Sequence, residues 1–213
     1  MVIEIKKYFA PEDRTFIRNL SCDTAFSGEP VEKFFDGREI IADILTLYYT
    51  EYEKESIFIA EVEGKKAGYL IGCKNIRRYK RILITKILPF LLLKSLIKPR
   101  LIYRKKNILF FFNCAVSFFK KEFFFPDFSN EYPATLHINV DIRYRNKGIG
   151  GKLISEYINH LKKMRIKGIH ITTFSPSAVR FFEKNGFTVL YKKKITCFKY
   201  LGYGNFNRFV MVR

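Results

Sequence analysis

The sequence predicts an α/β (α+β) domain in which one mixed sheet is flanked by helices and interrupted by a basic helical insertion. Apolar residues recur with strand and helix periodicity in the order β-α-α-β-β and then β-α-β-α-β-β. A stretch of abruptly different composition separates the two runs, and 213 residues with 48% apolar side chains suffice for one sizeable core. The chain 1–213 is therefore expected to be a single domain with an insertion at about residues 74–125.

Each element follows from its own pattern. Val2 to Lys6 alternates as a first strand, and Pro11 to Leu20 reads as a helix whose opening Glu12 and Asp13 suit a helix N-terminus. Glu39 to Tyr49 carries Ile40, Ile41, Ile44, Leu45 and Tyr48 at helical spacing. Ser56 to Val62 and Lys66 to Gly72 are apolar runs joined by Glu63-Gly64-Lys65, a hairpin signature. After the insertion, Ala134 to Val140 returns to a strand with His137 and Asn139 on the face opposite Leu136, Ile138 and Val140. Gly150 to Arg165 is a helix stopped by Gly168, and Ile169 to Phe174 a strand. Ser175-Pro176 opens a short helix that Asn185-Gly186 ends, and strands over Phe187 to Tyr191 and near Phe206 to Val212 complete the sheet.

The net charge of +19 is unevenly placed: residues 1–63 hold 14 acidic and 7 basic side chains, the remaining 150 hold 6 and 32. Such a field attracts anions, whether nucleic acid, an acidic membrane surface or a phosphorylated cofactor. Lys74 to Lys121 contains 14 basic residues and no acidic one, with apolar clusters at 88–93 and 110–112, the composition of basic amphipathic helices. The preferred expectation is that their apolar faces complete the core or cover a cleft while the cations are solvated. The other reading is peripheral contact with an anionic membrane or a polyanion. Interleaved Leu and Phe runs disfavour a nucleic-acid track.

Ile82 to Ile97, broken by Thr85, Lys86, Pro89, Lys94 and Ser95, falls short of the roughly 20 apolar residues a bilayer span needs. The start lacks a signal-peptide pattern, so a cytoplasmic protein is expected. Cys22, Cys73, Cys114 and Cys197 are too dispersed for a disulfide framework or a metal site, and no metal is expected.

The chemistry-bearing segment is the strand ending at Val140, a short connection, and Arg145-Asn146-Lys147-Gly148-Ile149-Gly150-Gly151 running into a helix. Unpaired amides of a helix's first turn, with its dipole, hold phosphate, and glycines permit close approach. A dinucleotide fingerprint would need GxGxxG in a first βαβ unit and a P-loop would need Gly-Lys-Ser/Thr, and neither is present.

Leu136-His137-Ile138-Asn139-Val140, then Arg145 to Gly150, then Ala178-Val179-Arg180-Phe181-Phe182-Glu183-Lys184-Asn185-Gly186-Phe187 resembles the GNAT superfamily of N-acetyltransferases, with its R/QxxGxG/A loop and AxxFYExxGF helix. The His137-Ile138-Asn139 strand is similar to the LHID strand of bacterial and O-GlcNAcase-associated acetyltransferase-like domains. The resemblance covers the whole element order outside the insertion and implies a sheet splayed after its fourth strand. It implies acetyl-CoA as cofactor, with backbone groups of Ile138, Asn139 and Val140 pairing with the pantetheine arm. Arg145, Asn146, Lys147, Gly148, Ile149, Gly150 and Gly151 would hold the pyrophosphate, and Ser175 and Phe182 would stand near the arm. His170 matches the position of a family glutamate and is the first candidate base, His137 and Asn139 being alternatives.

Phe182 departs from the pattern, replacing a tyrosine that protonates the departing thiolate; Tyr144 is a substitute donor, and Ser175 also reads as a helix cap. The implied activity is direct N-acetyl transfer to a primary amine of a small molecule or peptide, the alternative being an acyl-CoA sensor or scaffold with little turnover. Glu29, Glu32, Asp36 and Glu39 are candidates to attract a cationic acceptor, or are a solvated acidic helix. A monomer or homodimer is expected.

Overall fold

A computed structural model of the chain describes residues 2–96, 103–202 and 206–213. The first hairpins form a four-stranded antiparallel sheet: β1 (Ile3–Lys7), β2 (Ile57–Val62), β3 (Lys65–Cys73) and β4 (Thr135–Val140), hydrogen-bonded in that order. A second antiparallel sheet has the order β5 (His170–Thr173), β7 (Phe206–Val212), β6 (Thr188–Ile195). β4 and β5 meet only at a parallel bridge between Ala134 and Ile169, so the two halves share a root and part beyond it. That bridge is the sheet's one parallel contact among the described residues.

Strand alternation sends side chains to two cores. On one face, Phe58, Leu70, Leu136 and Ile171 pack against Leu153 and Tyr157 of helix α6 (Ile149–Lys163) and against Phe182 and Phe187. On the other, Ile57, Ile59, Tyr69 and Ile71 meet helices α1 (Glu12–Asp23) and α2 (Arg38–Tyr52). α6 lies close on β3: a Cβ at Gly72 would stand 2.1 Å from the Tyr157 ring. The Tyr157 hydroxyl donates to the carbonyls of Cys73 (3.0 Å) and Thr135 (2.9 Å), pinning the helix to both strands. Helix α7 (Pro176–Lys184) packs beside β6 and β7.

Expected and observed elements differ mainly at their ends. α2 runs on to Tyr52, and β6 continues to Ile195 because its second half pairs with β7 as far as Ile195–Phe206. The insertion forms α3 (Ile76–Ile82), a wider helical turn over Leu83–Ile87, α4 (Leu88–Leu96) and α5 (Lys105–Phe119). The expected burial of its apolar faces holds at Ile82, Ile87 and Leu91, which join the core beside α1 and α2, and at Phe110, which packs on Phe34 and Phe35, but not along the rest of α4 and α5. Leu91 alone of α4 is buried, and the buried residues of α5 are the polar Asn107 and Ser117. The physical reason lies in the anchors: Lys94 reaches the buried Asp43 of α2, and Asn107 exchanges two hydrogen bonds with the backbone of Asp36. These polar ties turn the helices' hydrophobic sides outward.

Candidate active site

The site is built on the far edge of β4. Asp141 N donates to Ala67 O of β3, whereas Ala134 bonds Gly168 and His170 on the β5 side. Successive residues of a strand alternate their hydrogen-bonding direction. Thr135, His137 and Asn139 therefore pair with β3, and Ile138 and Val140 point their N–H and C=O into the gap where β5 has splayed away. Asn139 is thus corrected as a source of backbone groups for a cofactor: its main chain belongs to the β3 ladder, opposite Tyr69.

Beyond Val140 the chain makes a tight turn, with the Asp141 carboxylate accepting from Arg143 N at 2.9 Å. Asn146 (φ 60°) and Gly148 (φ 80°) are both left-handed, and the turn delivers the chain into α6 with no side chain capping its start. Lys152 N is bonded to Gly148 O, the first bond of the helix, which leaves the amides of Ile149, Gly150 and Gly151 facing outward. Nothing lies within 4 Å of a Cβ built on Gly148, so this amide cluster opens to space. Beside it a cavity of about 540 Å³ runs from Gly148, Gly151 and Lys152 to Ile3 and Ile5 of β1.

The loop's cations are held by the protein. Arg145 donates to Val140 O at 3.0 Å and lies against Gly28, while Lys147 and Arg143 sit 5.4 and 5.8 Å from the Tyr144 ring centre. The Tyr144 ring thus carries two cations beside the turn. Gly150 serves packing: a Cβ there would stand 2.7 Å from Phe181, so the α6–α7 contact requires glycine. Phe181 matches the Phe of the motif quoted above, but nothing in the sequence joins it to Gly150.

On the α1 side of β4, a polar chain crosses three segments. Asn139 Nδ2 donates to Tyr69 Oη at 2.7 Å and to His137 Nε2 at 3.1 Å, and Tyr69 is bonded to Ser21 at 2.5 Å. An amide nitrogen has two protons and no acceptor, so His137 Nε2 accepts and its proton rests on Nδ1. Burial lowers the His137 pKa to about 4 and raises that of Tyr69 well above the phenol range. Both are neutral at pH 7, and His137, its Nε2 lone pair already occupied, is set to orient and not to abstract a proton. Tyr69 and Ser21 carry no motif, and only the fold brings them to Asn139.

The remaining candidates occupy structural positions. His170 is 8% exposed, lies at the bridged root of the splay and donates from Nδ1 to Tyr132 O at 2.6 Å; burial lowers its pKa. Its expected role as base is not supported by that geometry. Phe182 is buried, its ring 5.1 and 5.3 Å from those of Phe181 and Phe187, so it is a core residue. Ser175 Oγ caps α7, accepting from Ala178 N at 3.4 Å. The candidate acceptor acids are paired: Glu29 with Lys33, Glu32 with Arg38, Glu39 with Arg18, and Asp36 with Arg104 and Lys106. Their charge is answered within the chain.

An acetyltransferase (GNAT) domain model matches residues 114–189, which span β4, the loop, α6 and α7. No curated protein matches the chain. Among solved structures, SsHAT is similar over 99% of this chain and 97% of its own, with 19% identity and a TM-score of 0.71. The polyamine N-acetyltransferase of Drosophila melanogaster is similar over 100% and 99%, with 12% identity and a TM-score of 0.62. The ribosomal-protein-alanine N-acetyltransferase of Brucella melitensis is similar over 99% and 98%, with 13% identity and a TM-score of 0.57. Over β4, the loop, α6 and α7 the chain is thus similar to the acetyltransferase (GNAT) domain, and along its whole length it shares the fold of these solved acetyltransferase structures.

Proposed function

We propose that this chain transfers the acetyl group of acetyl-CoA directly to a primary amine of a small molecule or a peptide. The observation that carries the reading is the strand-unpaired edge of β4 at Ile138 and Val140, where Arg145 alone reaches the Val140 carbonyl, running into a left-handed turn and an uncapped helix start. Main-chain groups of Ile138 and Val140 would hold the amides of the pantetheine arm, and the amides of Ile149, Gly150 and Gly151 its pyrophosphate, with Arg145, Asn146 and Lys147 around them. Bound there, acetyl-CoA supplies an already activated acyl group, so the residues of the chain have to orient the amine and exclude water. His137 and Asn139 offer a neutral donor and a carbonyl acceptor beside that edge. With His137 held near pKa 4, the amine arrives deprotonated or gives its proton to solvent. A small cationic amine is favoured by two fold relatives, the polyamine enzyme and an agmatine N-acetyltransferase.

A second reading, an acyl-CoA-binding module with little turnover, draws on Phe182, a buried phenyl ring where the family pattern has a phenolic donor. Calorimetric titration with acetyl-CoA followed by thiol-release assays on amines, polyamines and peptides separates the two. Binding with release on an amine supports the transferase, binding without release on any acceptor supports the module, and no binding removes both.

A further inference from the structure

We propose that α4 and α5 form a docking surface for an anionic lipid bilayer. Both helices leave most of their apolar side chains exposed, Leu91 and Phe110 being those that pack inward. On α4 every exposed residue is apolar: Leu88, Pro89, Phe90, Leu92, Leu93 and Leu96. Its two polar side chains turn inward, Lys94 Nζ to Asp43 at 2.5 Å and Ser95 Oγ to Leu91 O at 2.7 Å. On α5 the exposed side carries Ile108, Leu109, Phe111, Phe112, Phe118 and Phe119, the last 82% exposed, while Asn107 is fully buried. An amphipathic helix that only completes a fold does the reverse. Surfaces of this kind mark contact with an apolar phase.

Charge selects the phase. Lys105 stands at the start of α5, where Arg104 and Lys106 are paired with Asp36, Lys120 and Lys121 lie just past its end, and residues 74–121 contain no carboxylate. An anionic bilayer offers acyl chains for the apolar side and headgroups for both cationic ends. A second copy docking through the same helices would set cations against cations. The 15 residues of α5 extend about 22 Å, short of a hydrocarbon core of about 30 Å, so the helix lies on the surface. Among the described residues no helix is long and apolar enough to cross a membrane. Both helices are tied to one end of α2 through Asp36 and Asp43, so the contact would be made by the folded protein. This inference does not depend on the acetyl-transfer reading.

The test is co-sedimentation of the full chain with vesicles of phosphatidylcholine alone and of equal parts phosphatidylcholine and phosphatidylglycerol. Each cation near an anionic surface contributes about fivefold, so binding to the anionic vesicles should be at least about a hundredfold stronger and should weaken with salt. Leu92→Asp with Phe112→Asp should abolish it with little change in Tm, both side chains being more than half exposed. If that variant fails to fold, Lys105→Gln with Lys120→Gln replaces it, with about a twentyfold loss or more expected. Absence of binding, equal binding to both vesicles, or a concentration-dependent dimer broken by the Asp variant would overturn the proposal, the last giving the surface to a second copy.

Discussion

Gly148→Ala and Gly150→Ala place the same methyl two residues apart and should fail for different reasons. At Gly148 a Cβ meets nothing within 4 Å, but the backbone is at φ 80°. A side chain held in that region costs about 1–2 kcal/mol. For a chain of this size that corresponds to about 2–8 °C in Tm. Relief of the strain rotates the peptides that aim the amides of 149–151, so the Kd for CoA should rise about tenfold or more. At Gly150 the conformation is ordinary and the new Cβ stands 2.7 and 2.8 Å from two atoms of the Phe181 ring. Overpacking of that kind costs about 1–3 kcal/mol, offset by about 1 kcal/mol of helix propensity. Calorimetry with CoA and thermal melts should be run on both variants with and without Phe181→Leu. Phe181→Leu should recover stability in Gly150→Ala and do nothing for CoA affinity in Gly148→Ala. Wild-type affinity in Gly148→Ala, or its rescue by Phe181→Leu, would refute the assignment of the left-handed turn to anion binding.

Gly72→Ala should lower stability by about 2–3 kcal/mol, read as a Tm drop of about 4–12 °C, because Tyr157 cannot yield without surrendering its carbonyl bonds; Tyr157→Leu should make the two changes non-additive. His137, with a folded pKa near 4 against an ordinary 6.5, binds its proton more weakly than the unfolded chain does. Stability is therefore fully present above about pH 7 and falls as pH drops toward 4, by at most about 3 kcal/mol, and His137→Gln should flatten that part of a pH series of melts. His170→Asn should leave the pH–rate profile unchanged while lowering Tm through the lost bond to Tyr132; an altered profile would return His170 to the base role.

The order of elements along the chain and the glycine turn before α6 were legible because each depends on residues close in sequence: alternation over Leu136 to Val140, and glycines between a strand and a helix. The direction in which Ile138 and Val140 face was not, since it is set by the pairing of Ala67 with Asp141 across the sheet. Periodicity in the insertion revealed an apolar and a polar side but not which would meet the protein. That is decided by Asp36 and Asp43, more than fifty residues earlier, which claim Asn107 and Lys94. The same holds for Ser21, Tyr69 and Asn139, which no local pattern joins. The family resemblance pointed to Phe182 and His170, positions to which burial and the Tyr132 carbonyl, invisible in the local pattern, give structural work.

The alternation along β4 has a consequence for how its amides age in heavy water. His137 and Asn139 are latched to β3, whereas the N–H groups of Ile138 and Val140 face the gap. Within one short strand, deuterium uptake should therefore go fast, slow, fast at successive residues, a comb that ordinary fraying from an end would not produce. Filling of the gap would erase the comb's fast teeth and leave the slow ones as they were, so the strand itself keeps a record of occupancy.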